Sequence, residues 1–179
     1  MENTKVVIFL DIDGVLQPHG RQNRFRHDLE ELKQELARQY NNDEYLEMDQ
    51  YDLGAVYYDW DKEAVERLRQ LCLKTSAEIV ISSDWRTYSP LSRLKDYFRL
   101  HDLDQYISGE IPQIRGKFRC DEVTDYLEKH PEIERFVILD DAHIRDFEKN
   151  YPEQFVYCRP IFDADCYTKA LNILTRKDS

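Results

Sequence analysis

A chain of 179 residues with 41% hydrophobic and 12% aromatic content is long enough to bury one core of ordinary size and too apolar to stay disordered. Its formal net charge of −11 opposes non-specific attraction to nucleic acid or anionic membrane, although a local basic pocket can still hold a phosphate. No apolar run is long enough to span a bilayer, and the polar residues 1–5 carry no signal-peptide pattern, so a cytoplasmic protein with reduced thiols is expected. Cys72, Cys120, Cys158 and Cys166 are scattered with no C-x-x-C pair, which disfavours a zinc site.

In chain order, the first predicted element is a strand over residues 6–10, "VVIFL", followed at once by Asp11, Asp13 and Gly14. Residues 17–60 come next, with a charged helical stretch, "DLEELKQELARQY", and then an acidic, tyrosine-rich one. That is too long for an ordinary βα loop, and we read it as an insertion over the ligand-binding end of a sheet. A helix over residues 61–75 has Asp61 as its N-cap and Ala64, Val65, Leu68, Leu71 and Cys72 on one stripe. "EIVIS" (78–82) is the second strand. A helix follows with Ser89 as cap and Pro90 at its first position. "QYISGEIP" holds a short strand near Tyr106, and "DEVTDYLEKH" is a helix that stops before Pro131. "RFVILDD" (135–141) and "QFVYC" (154–158) are further strands, and a helix over residues 163–176 closes the chain. The strands are short, rich in Val, Ile and Phe, and not alternating, as in a parallel sheet buried on both faces. The expected fold is α/β, a Rossmann-like parallel sheet with helices on both faces, in a single domain over residues 1–179.

Ligands of open α/β sheets sit beyond the carboxyl ends of the strands, and the polar groups of interest fall there. Asp11 and Asp13 follow strand one, Ser82 and Ser83 strand two, and Asp140 and Asp141 "FVIL", while Lys117 is expected to open the helix before that last strand. If the extended conformation continues, Asp11 and Asp13 point to one side with Cα atoms roughly 6 to 7 Å apart. Two unit charges at 4 Å repel by about 4 kcal/mol at an effective dielectric near 20, so several carboxylates in one pocket require a proton or a cation. An all-oxygen ligand set open to water fits Mg²⁺.

"DIDGV" after an apolar strand, a Ser closing "EIVIS", a Lys in "RGKFRCDEV" and "ILDD" after another apolar strand resemble the four ordered motifs of the haloacid dehalogenase (HAD) superfamily. "ISSDWR" is similar to a subgroup with S-S-x-W-R at this point, some of it linked to RNA repair. The resemblance implies a Mg²⁺-dependent phosphomonoester hydrolase, with residues 17–60 in the place of a small cap. It makes Asp11 the nucleophile and Asp13 the general acid and base. It assigns Ser82, or the adjacent Ser83, and Lys117 to the substrate phosphate. It gives the metal to Asp11, the backbone carbonyl of Asp13, and Asp140, with Asp141 helping directly or through water.

Beside these, Arg86 reads equally as a phosphate clamp or a surface salt bridge, and Trp85 as packing. His19 and His143 are left out of the chemistry, Asp146 is read as a supporting residue, and Tyr45, Tyr51, Tyr57 and Tyr58 as packing of the insertion. A phospho-accepting receiver domain uses similar residues in a different order. A mutase uses the same four motifs, and a silent phosphate-binding relative would not need Asp13. The acidic insertion places a small phosphorylated substrate ahead of a nucleic-acid terminal phosphate, and the sequence does not fix the oligomeric state.

Overall fold

A computed structural model describes residues 4–176. Strands β1 (Lys5–Leu10), β2 (Glu78–Ile81), β3 (Ile107–Glu110), β4 (Ile133–Asp140) and β5 (Phe155–Tyr157) form one all-parallel sheet in the order β3-β2-β1-β4-β5. After β1 the chain builds outward on one side through β2 and β3, then returns to place β4 against the other side of β1. The β1/β4 boundary is therefore the switch point, where the fold leaves a crevice at the carboxyl ends of the strands.

Helices cover both faces, as the sequence predicts. On one face, Ile8, Leu10, Ile79, Ile81, Val137 and Leu139 pack with α4 (Lys62–Thr75), α5 (Leu91–Arg99) and α8 (Ala164–Thr175). On the other, Val7, Phe9, Val80 and Ile138 pack with Cys120 and Val123 of α6 (Arg119–Lys129) and Phe147 of α7 (Ile144–Asn150). Asp61 caps α4 as expected, its carboxylate accepting from the backbone N–H groups of Glu63 and Ala64. Pro90 occupies the cap position of α5 and Leu91 opens the helix, one residue later than predicted. Lys117 does not open α6: Gly116, at φ +80°, turns the chain there, and the helix begins at Arg119 with Asp121 accepting from the Phe118 N–H. The four cysteines are free and buried, and no described helix is long and apolar enough to cross a membrane.

Residues 17–60 hold α1 (Leu29–Tyr40), α2 (Glu44–Glu47) and α3 (Gln50–Gly54), followed by a wide turn over Ala55–Asp59. Asp28 caps α1 by accepting from the Glu31 N–H. The insertion has no separate core: Leu36, Tyr45, Met48, Leu53, Val56 and Trp60 are buried in the same cluster as the sheet residues Ile8 and Leu10. The Tyr45 hydroxyl donates to the Asp96 carbonyl at 2.9 Å, tying α2 to α5. Asp59, fully buried, accepts from the Asn23 and Arg24 N–H groups and pairs with the Arg24 side chain. Asp52 of α3 is half-buried. Burial and then the Asp49 carboxylate push it up to about 6, with Asp13 adding to the rise and Arg24 opposing it.

The loop after β2 is locked to α6 by a buried ion pair between Arg86 and Glu122. Arg86 also donates to the carbonyls of Ser82 (2.6 Å), Ser83 (2.8 Å) and Ile111 (2.9 Å), and Glu122 accepts from the Ile114 N–H at 2.7 Å. Arg86 is thus neither a phosphate clamp nor a surface salt bridge: all of its donor groups are committed inside the protein.

Breaking a buried pair leaves one charge uncompensated, at a cost of about 3–5 kcal/mol. Glu122→Gln is expected to lose that much in urea unfolding, although no residue of the crevice is altered. A carboxyl whose folded pKa is raised holds its proton longer in the folded state, so its contribution to stability falls as pH rises through the window from 3.8 to about 6. The difference in thermal midpoint between Asp52→Asn and the parent is therefore expected to move in the variant's favour between about pH 4 and pH 7. No such drift would mean that Asp52 titrates normally.

Candidate active site

The register decides which side chains meet. Leu10 pairs with Ile81 on one side and Leu139 on the other, so one residue further Asp11 lies between Ser82 and Asp140. With the strand period of two, Asp11 continues the Val7–Phe9 face, Asp140 the Ile138 face and Ser82 the Val80 face. All three rise on the side covered by α6. The ladder extends to Asp11, whose N–H donates to the Leu139 carbonyl at 3.0 Å.

Asp11 and Asp140 are both buried and share one cation. Arg119 Nη1 lies 3.0 Å from Asp11 Oδ2 and 2.7 Å from Asp140 Oδ2, and its Nη2 lies 3.0 Å from Asp84 Oδ1. The second oxygens are fixed by backbone: the Ile12 N–H donates to Asp11 Oδ1 at 2.9 Å and the Ala142 N–H to Asp140 Oδ1 at 2.8 Å. Burial raises the pKa of Asp11 against the opposing charge of Arg119 and hydrogen bonds from the Ile12 N–H and the Ser83 hydroxyl. Burial, and then the Asp11 carboxylate, push Asp140 up to about 7. Burial also disfavours the charged guanidinium of Arg119, but Asp140 and Asp11 outweigh that and raise its pKa. These directions follow from one imbalance: a single cation faces two buried carboxylates, so Arg119 is firmly charged while one negative charge stays uncompensated.

Asp141 completes the group. Carboxylate oxygens of Asp11, Asp140 and Asp141 lie within 4.8 Å of one another, the spacing of a cation site with oxygen ligands. Asp141 Oδ2 is also 2.6 Å from His19 Nε2, so His19 touches the group that the sequence reading left it out of. Gly14 is required here: at φ +75°, a Cβ would fall 2.1 Å from Asp141 Oδ2. After Ile12, whose carbonyl accepts from the N–H groups of Val15, Leu16 and Gln17, the chain turns sharply. That turn carries the Asp13 carboxylate away from the other three acids. Asp13 Oδ2 instead accepts from the Trp85 indole N–H at 3.0 Å.

Four of the five side chains of "SSDWR" are engaged. The buried Ser82 hydroxyl has no partner among the described residues. The Ser83 hydroxyl accepts from the Trp85 N–H and favours the charged form of Asp11. Against some loss of hydration, the exposed Asp84 is held below the usual carboxylate range by Arg119. Trp85 reaches Asp13, and Arg86 fixes the two serine carbonyls.

The structure thus brings Asp11, Ser82, Ser83, Asp140 and Asp141 to one crevice, with Asp13 at its edge. It does not bring Lys117 there. The Lys117 ammonium is exposed and pairs with Asp125 at 2.7 Å, whereas Arg119, two residues on, lies among the carboxylates. A signal for Arg119 was present: it is three and four residues before the buried Glu122 and Val123, on the α6 face that meets the sheet. Trp85 packs as expected but also holds Asp13. Asp146 is exposed and outside the acid group, and among the four tyrosines only Tyr45 is fully packed, with Tyr51 and Tyr57 exposed.

Comparison with curated proteins and with solved structures returns no match. The family described as the HAD domain in Swiss Army Knife RNA repair proteins matches residues 7–162, from within β1 to beyond β5. HAD proteins generally use Mg²⁺, and the oxygen-only acid group fits that ion. With most of its length matched, and with D-x-D after the first strand and D-D after β4 as in the superfamily's first and last motifs, the chain belongs to the HAD superfamily of hydrolases, in the family described as the HAD domain in Swiss Army Knife RNA repair proteins.

Proposed function

We propose that the chain is a Mg²⁺-dependent phosphomonoester hydrolase that works through an aspartyl-phosphate on Asp11. The observation that carries this reading is the division of labour among the acids: Asp11, Asp140 and Asp141 converge on one another, while Asp13 is held apart by Trp85. A nucleophile needs a compensated, fixed carboxylate, whereas a general acid and base needs one that stands free of that charge cluster.

In this reading the Asp11 carboxylate attacks phosphorus and the bond from phosphorus to the leaving oxygen breaks. Asp13 gives its proton to the departing alkoxide. Asp13 then takes a proton from water, whose oxygen attacks the aspartyl-phosphate, and the phosphorus–Asp11 bond breaks to release inorganic phosphate. Arg119, in place of Lys117, supplies the fixed positive charge beside the incoming phosphate, and its fork also reaches Asp84. The orphaned Ser82 hydroxyl supports a hydrogen bond to a phosphoryl oxygen, since a buried hydroxyl seeks a partner. Mg²⁺ would be held by Asp11, the Asp13 carbonyl and Asp140, with Asp141 directly or through water; when bound it offsets the repulsion between phosphate and carboxylate. Residues 17–60 serve as a cap-like insertion on a single HAD-like domain.

The family's description supports a nucleic-acid terminal phosphate as substrate. A small phosphomonoester is the second reading, favoured by the further acids, Asp52 and Asp84, near Asp13 and Arg119.

Hydrolysis of p-nitrophenyl phosphate is expected to require Mg²⁺ and to stop with EDTA or Asp11→Asn. Asp13→Asn should lower kcat by about 10²–10⁴ and Arg119→Ala by about 10²–10³, whereas Lys117→Ala should leave turnover unchanged. Turnover that survives Asp11→Asn, or that falls with Lys117→Ala but not Arg119→Ala, would contradict the assignment. Rates on 3′- and 5′-phosphorylated oligonucleotides against sugar phosphates decide the substrate class. In thermal unfolding, Mg²⁺ is expected to raise the midpoint of the parent by its binding free energy and to leave Asp140→Asn unmoved.

A further inference from the structure

Resting on the hydrolase reading, we propose that Trp85 is a positioning residue for proton transfer by Asp13: its indole N–H commits one carboxylate oxygen so that the other exchanges the proton with the leaving group. Asp13 lies past the end of β1, on the turn around Gly14, so the sheet does not fix its side chain. Trp85 Nε1 donates to Asp13 Oδ2 at 3.0 Å, and Oδ1 takes no hydrogen bond from the described residues. An indole N–H donates and neither accepts nor titrates, so it can orient a carboxyl without competing for its proton.

The indole is itself held from several sides. Its ring packs edge-on to Tyr97 (centroids 5.6 Å, 83°) and to Trp60 at the end of the insertion (6.4 Å, 61°). The backbone that carries it is fixed by the Arg86 bonds to the Ser82 and Ser83 carbonyls and by the Ser83 hydroxyl. Trp85 is buried at 4% exposure. A rigid donor aimed at an otherwise free carboxylate confines it to a geometry set before substrate arrives.

The competing account is that Trp85 only fills space and Asp13 merely satisfies its N–H. The two differ in which substrates suffer when the N–H is removed. An alkoxide must be protonated as its bond to phosphorus breaks, and that proton comes from Asp13. A p-nitrophenolate leaves unaided. Loss of orientation at Asp13 therefore slows the first step for alkyl phosphates and spares it for p-nitrophenyl phosphate, and kcat/KM reports binding and that step without the later hydrolysis of the aspartyl-phosphate.

The test compares kcat/KM for glycerol 2-phosphate and p-nitrophenyl phosphate in the parent and in Trp85→Phe. The alkyl-to-aryl ratio is expected to fall about tenfold, the size of one hydrogen bond to a charged group. Because both rates come from one preparation, the ratio is independent of the fraction folded. Where Phe leaves too little folded protein, benzothienylalanine at position 85 keeps the bicyclic shape, removes only the N–H and should give the same fall. In the Asp13→Asn background, Trp85→Phe should change the ratio no further. An unchanged ratio, with both rates falling together or neither falling, overturns the positioning role and leaves the hydrolase reading intact. Turnover persisting in Asp11→Asn removes the reading and this role with it.

Discussion

The crevice exists because one guanidinium stands between two carboxylates that the sheet forces together. Parallel pairing of β1 with β4 puts Asp11 beside Asp140, and burial removes the water that would otherwise screen them. Without Arg119 the two acids would need a shared proton or a bound cation to stay together at this depth. With it, the pocket still holds an unbalanced negative charge, which is the electrostatic condition for receiving a divalent ion. Arginine suits the place better than lysine. A planar fork reaches Asp11, Asp140 and Asp84 at once with fixed donor directions, where an ammonium would act as a point charge.

From that pair the rest of the neighbourhood follows. Arg119 is usable only if the start of α6 is fixed, and the Arg86–Glu122 pair fixes it from inside the helix's first turn. Arg86 in turn sets the Ser82 and Ser83 carbonyls and so the path of the loop that carries Trp85. One short segment, residues 82–86, thus shapes the crevice beside Asp11, the anchor of α6 and the support of Asp13. The S-S-x-W-R pattern is a mechanical unit whose members act on one another and on the acids.

The sequence made legible what depends on periodicity and order. Short apolar runs located the strands, and the acids after them marked the end of the sheet that matters. The sequence did not resolve which of the three cations in "RGKFR" turns inward, because that depends on where the helix starts. Gly116 turns the chain just before Lys117, and the reach of Asp121 back to the Phe118 N–H begins α6 at Arg119. The Trp85 bond to Asp13 was equally invisible, since it joins residues 72 positions apart in the chain through the fold alone. Gly14 was legible as a turn, but its second cause, the approach of Asp141, required coordinates.

Residues 17–60 are built into the same core as the sheet. Residues 17–60 hide Leu36, Tyr45, Met48 and Leu53 in the same apolar cluster as the sheet. Exposing each such side chain costs about 1.5–3 kcal/mol, so lifting the segment as a unit would cost most of a domain's stability. In the proposed reading, then, side chains at the rim rather than movement of this segment set access to Asp11. Among them are His19, bound to Asp141, and two acids, Asp52 on α3 near Asp13 and Asp84 after β2, bound to Arg119. A substrate phosphate that pairs with Arg119 competes with Asp84 for the same guanidinium. Under the proposed hydrolase reading, negative charge beyond the reacting phosphate would meet Asp52, so a terminal phosphate on an oligonucleotide would have to lead the rest of its backbone away from α3.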